Sequence, residues 1–246
     1  MNQPVASGVR RAMRLSRFDH LAFAAMMLGA VALAGKGWLD AHPEHNPWAP
    51  LDLRHPSGWA TSGKLAALRS DATACRAVLA RSEVVFSVLE PAGQGDCART
   101  DRTVLPEFPL APDRPPTTCA IAAGMELWLE LSVRPAAEEL LGAPLARIEH
   151  LGAFSCRRLY GRGEGPWSEH ATGNAIDIAA FVLADGRRVS VLGDWSADGA
   201  EAAFLRRVHR EGCEVFGTVL GPDYNAAHRD HFHLDQAPRG FGNVCR

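Results

Sequence analysis

Apolar residues are concentrated in one stretch near the start of the chain. Residues 21–34 form an uncharged, mostly apolar run of 14 residues that ends in a small-x-small sequence. A basic region precedes the run and contains Arg10, Arg11, Arg14 and Arg17. This order of basic region, short apolar core and small residues is typical of a secretory signal peptide. We therefore predict export, with the arginines remaining on the cytoplasmic side.

Two fates of this segment stay open. Cleavage after the small residues would release a periplasmic protein. Alternatively, the apolar stretch continues to about Leu39 if the Lys36 ammonium reaches the membrane interface. Residues 21–39 would then be retained as an inner-membrane anchor. Both alternatives place the rest of the chain in the periplasm.

Proline-rich stretches divide the remaining sequence. Residues 40–56 are rich in Pro, His and Asp, which predicts an extended tether. A second proline-rich stretch at 106–116 marks an internal boundary. The predicted organisation is residues 1–39 as signal or anchor, 40–56 as tether, 57–115 as a small accessory region, and 116–246 as the C-terminal domain.

Hydrophobic periodicity predicts a mixture of helices and strands. Helices are predicted over 62–80, with a break at Ser70 and Asp71, over 119–131, from Pro135 to Leu141, and over 200–211. Strands are predicted over 84–89, 147–154, 174–182, 188–192, 215–220 and 231–234, with a hairpin turn at Asp185 and Gly186. The elements do not alternate regularly, so we predict an α+β fold with a partly antiparallel sheet and flanking helices.

Charge and cysteine content narrow the class of protein. The net charge is −2 and the basic residues are scattered beyond the N-terminus, so no nucleic-acid partner is expected. The six cysteines form no Cys-x-x-Cys pair, and in an exported chain they predict three disulfides. Of the 15 pairings that are open, we expect neighbours along the chain: Cys75 with Cys97, Cys119 with Cys156, and Cys213 with Cys245. The first would compensate for the small core of the accessory region, which could serve to brace the C-terminal domain.

Two short segments carry the candidate chemistry. Residues 168–178 read SEHATGNAIDI, and Asp177 lies there between two isoleucines in an apolar strand. A carboxylate in such a strand needs a cation or strong hydrogen-bond donors, because burying it unpaired costs several kcal/mol. Residues 228–233 read HRDHFH, and strand alternation places His231 and His233 on one face.

Together the two segments predict a metal site. Two imidazoles and one carboxylate are the three-ligand set of catalytic zinc, with a fourth position left for water. Calcium would require more carboxylates. The other histidines are poorer candidates, since His42, His45 and His55 lie in the predicted tether and His209 is expected on a helix surface. The alternatives are that the Asp177 carboxylate is bonded to backbone amides or an arginine, and that residues 228–233 form a solvated polar turn. The chain would then be a disulfide-bonded structural protein without a metal.

These motifs resemble known families. The spacing of His170, Asp177, His231 and His233 resembles the zinc D-Ala-D-Ala peptidases and penicillin-insensitive murein endopeptidases, which share a fold with the Hedgehog signalling domain. The two segments, with residues 156–157 and 223–225, are more closely similar to the bacterial extensin-like C-terminal domain family. That similarity covers roughly residues 50–246, including the cysteines.

The resemblance implies roles for individual residues. It implies His170, Asp177 and His233 as ligands of one zinc ion and a Hedgehog/DD-peptidase-like fold. It further implies Asp230 as the general base, His231 as a supporting histidine, His228 as a further active-site histidine, and Arg157 as the group that polarises the scissile carbonyl. Several relatives carry glutamate as the base, and aspartate is one methylene shorter.

The expected function is hydrolysis of a peptide in peptidoglycan. Ser168 and Asn225 are candidates for orienting the imidazoles, and Trp167 and Tyr224 for lining a substrate cleft; turn and core roles are the alternatives. The alternative function is a non-catalytic, zinc-containing module that binds a cell-wall polymer, because this scaffold also serves proteins without hydrolytic activity. The oligomeric state stays open.

Overall fold

A computed structural model describes residues 17–238 and 243–246 of the chain. Most of the predicted basic region, including Arg10, Arg11 and Arg14, lies outside the described residues. The chain separates into two compact units, residues 1–42 and residues 43–246.

Helix α1 (Arg17–Ala41) forms the described part of the first unit. Its 25 residues correspond to a length of about 37 Å, which exceeds the hydrocarbon core of a bilayer at about 30 Å. None of its side chains is buried. The helix is therefore long and apolar enough to cross a membrane, and a signal sequence near the N-terminus would meet the same criteria.

The second unit contains the remaining elements and has the α+β composition that the sequence predicts. Its helices are α2 (Thr61–Leu68), α3 (Ala72–Arg81), α4 (Cys119–Trp128), α5 (Arg134–Ala136), α6 (Val191–Asp194) and α7 (Ala200–Val215). Its strands are β1 (Ser87–Val88), β2 (Thr103–Val104), β3 (Leu110–Ala111), β4 (Leu145–Gly152), β5 (Ala175–Leu183), β6 (Arg188–Ser190), β7 (Thr218–Leu220), β8 (Phe232–Asp235) and β9 (Val244–Cys245).

A seven-stranded mixed sheet lies at the centre of this unit. The strand order is β3-β4-β5-β8-β7-β9, and β6 pairs with the second half of β5. The pairs that involve β5, and β7 with β8, are antiparallel, whereas β3–β4 and β7–β9 are parallel. The partly antiparallel sheet is thus confirmed.

Helices α4 and α7 cover one face of the sheet. The Trp128 ring of α4 makes edge contacts with Phe181 and Phe216, and Phe204 of α7 makes another with Phe181. All four side chains are fully buried. Ile176 and Ile178 of β5 and Phe232 of β8 also point into this core, so strand alternation turns Asp177 and His233 towards the opposite face.

Pro135 lies inside a longer helical run than predicted. Helix α4 continues through a π-helical turn (Leu129–Val133) into α5, and a second π-helical turn (Ala137–Leu141) follows. Pro135 falls just after the junction of this π-helical turn with α5, so the helical run begins at Cys119 and not at Pro135. The predicted break between α2 and α3 is present, and the Asp71 carboxylate caps α3 by accepting a hydrogen bond from the Ala74 N–H at 2.8 Å.

Residues 43–56 differ from the expected extended tether. They form successive turns and belong to the second unit, because Leu51 and Leu53 are buried in its core. The backbone N–H of Leu53 donates to Ser82 Oγ at 2.8 Å, and Arg81 donates to the Leu51 carbonyl at 3.0 Å. The accessory region likewise shares one hydrophobic core with the C-terminal domain.

The disulfide pairing corrects two of the three expected pairs. Cys75 is bonded to Cys119 and Cys97 to Cys156, whereas the pair of Cys213 with Cys245 is confirmed. Tertiary packing overrides proximity along the chain. Helix α3 packs against α4, which begins at Cys119, and Arg99, just after the turn Gly95–Cys97, lies over the Phe154 ring. Two disulfides therefore join the accessory region to the C-terminal domain.

The packing of residues 43–56 leads to a stability prediction. Hydrogen bonds from Arg54 lower the pKa of the buried Asp52 carboxyl from 3.8 to about 2. The carboxylate therefore stabilises the fold above pH ~4, and this contribution disappears as the pH falls through ~2. We expect Asp52→Asn to lower the free energy of unfolding by about 1 kcal/mol at pH 7, since the Arg54 side chain is half exposed. Urea unfolding at pH 7 and pH 2 should show the difference vanishing at the lower pH; a pH-independent difference would contradict this origin.

Candidate metal centre

The pairing of β5 with β8 brings the two motifs together. In this antiparallel pair Asp177 lies directly opposite His233. Their neighbours Ile176, Ile178 and Phe232 are fully buried in the core. Because alternate residues point to opposite faces, the carboxylate and the imidazole both project from the face that the helices leave uncovered.

His170 reaches the same place from a turn before β5. It lies in the short 3₁₀ helix Glu169–Thr172, which ends at Gly173. The backbone of Gly173 is left-handed, with φ of 74°, a conformation that favours glycine. This reversal directs the chain into β5 and leaves the His170 side chain beside Asp177.

Three side-chain atoms form what we call the ligand triangle: Nε2 of His170, Oδ1 of Asp177 and Nδ1 of His233. The two histidine nitrogens are 3.1 Å apart, and the Asp177 oxygen is 3.1 Å from His170 and 2.9 Å from His233. The side chains are 5%, 15% and 12% exposed, respectively. The triangle is therefore nearly buried, and its three atoms could hold one metal ion.

The outer nitrogen of each imidazole has its own acceptor. His170 Nδ1 lies 3.2 Å from the carbonyl oxygen of Ala153, and His233 Nε2 lies 3.1 Å from Oδ2 of Asp235. With one N–H directed to each of these outer acceptors, the inward nitrogen is the atom that would give up its proton to a metal ion. Asp235 is itself buried, and its other oxygen accepts a hydrogen bond from the Ala237 N–H at 2.9 Å.

The electrostatics of the triangle reflect this mutual pairing. Burial raises the pKa of Asp177, but hydrogen bonds from His170 and His233 outweigh it and hold that pKa well below its usual range. Burial lowers the pKa of His233, yet hydrogen bonds to Asp177 and Asp235 raise it overall to about 9. A carboxylate that stays ionised in a nearly dry site attracts a cation.

The ligand triangle lies in the wall of a cavity of about 530 Å³. His228, His231 and Arg157 line the same cavity, so the structure brings together six of the seven predicted site residues. The His231 Nε2 atom is 3.6 Å from Asp177 Oδ1. Burial, and then the charges of His233 and His231, lower the pKa of His228 to about 4.

Asp230 is the seventh, and it does not line this cavity. Its carboxylate lies 2.9 Å from Nδ1 of His231 and is 43% exposed. Asp230 therefore contacts the site through His231, and the side chain that faces the triangle is the imidazole.

The residues predicted to orient the imidazoles or to line a substrate cleft differ in what they contact. Asn225 Oδ1 lies 2.8 Å from His228 Nδ1, which fits the predicted orienting role, whereas Ser168 Oγ accepts from the backbone N–H of His170 and caps its turn. Tyr224 lines the cavity. Trp167 does not, and its ring stacks instead with the Arg158 guanidinium at 4.4 Å.

His209 differs from its expected position on a helix surface. It is buried under Trp195 and Phe232, and burial lowers its pKa. Among the described residues it forms a second potential metal group with Cys213 and Cys245, but these cysteines are disulfide-bonded and offer no thiolate.

Sequence reasoning missed Asp235 and the Ala153 carbonyl. Asp235 had a signal, because in a strand it shares a face with His233 two residues earlier. The Ala153 carbonyl is a backbone group in a loop, so no sequence signal could indicate it. Tyr160 also lines the cavity, and no sequence signal indicated it. Its hydroxyl oxygen lies 3.4 Å from that of Tyr224.

Comparison with known proteins identifies the family. Residues 73–246 match the model of the extensin-like protein C-terminus family. The match covers more than two thirds of the chain, and it includes the ligand triangle and all six cysteines. The chain belongs to this family. No curated protein and no solved structure matches it.

The Asp235 carboxylate, which contacts the outer nitrogen of His233, leads to a testable prediction. The Asp235 carboxylate pairs with His233 at one oxygen and with the Ala237 N–H at the other, and Asp235→Asn leaves only one oxygen to serve both donors. We expect this variant to bind zinc about tenfold more weakly, as measured by competition with a chromophoric chelator. Asp185→Asn, in the exposed hairpin turn, is the matched control and should bind like the wild type. An unchanged affinity in Asp235→Asn would show that the carboxylate does not act on the ligand.

Proposed function

We propose that this protein is an exported zinc-dependent hydrolase that cleaves peptide bonds of peptidoglycan. The observation that carries the proposal is the ligand triangle in a cavity wall, with His231 and Arg157 lining the same cavity. A metal site buried for structural reasons alone would not need an adjoining cavity or these further polar groups.

Zinc fits the donor set better than calcium or magnesium. Tetrahedral zinc binds nitrogen and oxygen at about 2.0–2.1 Å, which separates neighbouring ligand atoms by about 3.3 Å. The triangle edges of 2.9–3.1 Å are close to that separation. Calcium takes about six to eight oxygen ligands, and magnesium also prefers oxygen. Two imidazoles and one carboxylate with an open position are the donor set of a catalytic zinc site.

The chemistry divides between the ion and the chain. When bound, zinc supplies Lewis acidity and makes water nucleophilic near neutral pH. His231 has Nδ1 against the Asp230 carboxylate and Nε2 towards the triangle, so Nε2 can take a proton from the attacking water and return it to the leaving amine. Asp230 thus orients His231, in place of the direct general-base role first expected.

Arg157 is the cationic side chain that we assign to the scissile carbonyl. It is exposed and lines the cavity beside the ligand triangle. A guanidinium there would stabilise the negative charge that develops on the carbonyl oxygen during attack. The cavity volume of about 530 Å³ lies within the range of about 300–1,000 Å³ that is usual for ligand sites.

Peptidoglycan as the substrate rests on location and family. An apolar N-terminal helix is compatible with export, and the chain belongs to the extensin-like family. In the periplasm, the peptide stems and cross-links of the cell wall are the natural peptides for such a site. The resemblance to zinc D-Ala-D-Ala peptidases and murein endopeptidases supports the same substrate class.

One observation favours the non-catalytic alternative. The Asp230 carboxylate is engaged by His231 and does not line the cavity. A module that keeps zinc only to capture a cell-wall polymer would require no acidic base beside the ion. The two functions therefore share the metal and differ in whether His231 transfers a proton.

Metal content tests the first part of the proposal. We expect the purified protein to hold close to one zinc per chain, and His233→Ala to lose it, because the remaining pair of ligands cannot enclose the ion. Elemental analysis after dialysis gives the measurement. His55→Ala, outside the cavity, should retain the metal. Wild-type protein that stays metal-free at saturating zinc would rule out the site.

Turnover tests the second part. With purified murein as substrate, we expect His231→Ala to retain zinc but to lose about 10²–10⁴-fold in rate, the usual contribution of general acid–base catalysis. Asp230→Asn should lose less, about tenfold, because the imidazole stays in place. Asp198→Asn, on the surface, is the control. Products are separated by chromatography and identified by mass. Identical product profiles for the wild type and His231→Ala would leave only the binding function.

A further inference from the structure

We propose that residues 92–99 of the accessory region, here called the bracing loop, position the metal ligand His170. The inference rests on the proposed metal function and assigns the accessory region a part in it. His170 differs from Asp177 and His233 in that it lies in a turn outside the sheet. Its position therefore depends on what holds that turn.

Residues 153–156 support His170 from one side. The Ala153 carbonyl accepts a hydrogen bond from the His170 imidazole at 3.2 Å, and the Ser155 N–H donates to the His170 carbonyl at 3.1 Å. One segment thus holds both the ring and the backbone of this ligand. Arg157 follows it directly, so a shift of the segment would move two site residues.

The bracing loop is covalently joined to that segment. Cys97 forms a disulfide with Cys156, and the Arg99 guanidinium carbon lies 3.8 Å from the centre of the Phe154 ring. Such a contact between a cation and an aromatic face is attractive. Both contacts start within the last three residues of the loop and reach the same short stretch.

The bracing loop also contacts the other end of the His170 turn. The turn Gly95–Cys97 packs against Glu169–Thr172. The Arg99 side chain lies against Gly173, where an added Cβ atom would be 3.7 Å from Arg99 Cδ. The loop thus spans both segments that enclose the ligand.

The loop is closed on itself, so it can act as a rigid part. The Arg99 N–H donates to the Ala92 carbonyl at 2.7 Å, and the Ala92 N–H donates to the Arg99 carbonyl at 3.1 Å. This pair of hydrogen bonds joins the two ends of the loop. Releasing the loop should disturb His170 while Asp177 and His233 keep their cross-strand register.

The test removes the covalent contact in the full chain. We expect Cys97→Ser/Cys156→Ser to stay folded by circular dichroism and to bind zinc about tenfold more weakly, comparable to loss of an outer-sphere partner of a metal ligand. Cobalt substitution gives a spectroscopic readout, since the visible bands of tetrahedral cobalt should change when one imidazole shifts. A merely structural role would lower thermal stability without changing either the zinc affinity or these bands.

A second variant keeps the experiment decisive if the double variant does not fold. Arg99→Ala retains every disulfide, and we expect it to weaken zinc binding about threefold, with Arg99→Lys only partly restoring the affinity because it lacks the planar guanidinium. Arg102→Ala is the matched control, since Arg102 contacts the carbonyl of Glu90.

Wild-type zinc affinity in folded Arg99→Ala and Cys97→Ser/Cys156→Ser would overturn the positioning role alone. A wild type that binds no zinc would overturn the proposed function and the positioning role together.

Discussion

The register between β5 and β8 is the constraint on which the site depends. It places Asp177 opposite His233, and it places Ile176, Ile178 and Phe232 in the core. A slip by one residue would exchange the two faces, burying a carboxylate and an imidazole under the helices. Burial of the apolar residues on one face of each strand therefore fixes the position of the polar residues on the other face. The energetic preference for burying isoleucine and phenylalanine is what aligns the ligand atoms.

Carboxylates on both sides of His233 fix its ring orientation. One nitrogen lies 2.9 Å from Asp177 and the other 3.1 Å from Asp235, and both acids are nearly buried. Two negative charges this close to one imidazole would repel each other in a dry site without a cation to balance them. The protonated His233 imidazole can supply that balance, because the two acids raise its pKa to about 9. A metal ion bound at the triangle would replace the inward proton of His233 in that role.

The sequence predicts the features that depend on local pattern. Alternation in two short strands indicates the shared face of His231 and His233, and the isoleucines beside Asp177 indicate its buried setting. Disulfide pairing was mispredicted at Cys75 and Cys97, because it depends on how α3 and the bracing loop pack on distant elements. His209 could have been predicted as buried, since it lies four residues after the buried Leu205 on α7. Asp230 precedes β8, where strand alternation no longer determines the direction of a side chain.

Catalysis and binding make different demands on the same cavity. Both need the triangle, and both are compatible with Arg157 in the wall, because a cation can hold a carboxylate of a bound polymer as well as a developing oxyanion. Only proton transfer needs an imidazole whose free nitrogen faces the ion. The Asp230 carboxylate at Nδ1 of His231 leaves Nε2 as that free nitrogen. Because the Asp230 carboxylate is taken up by His231, hydrolysis at this cavity would require His231, and not Asp230, to transfer the proton.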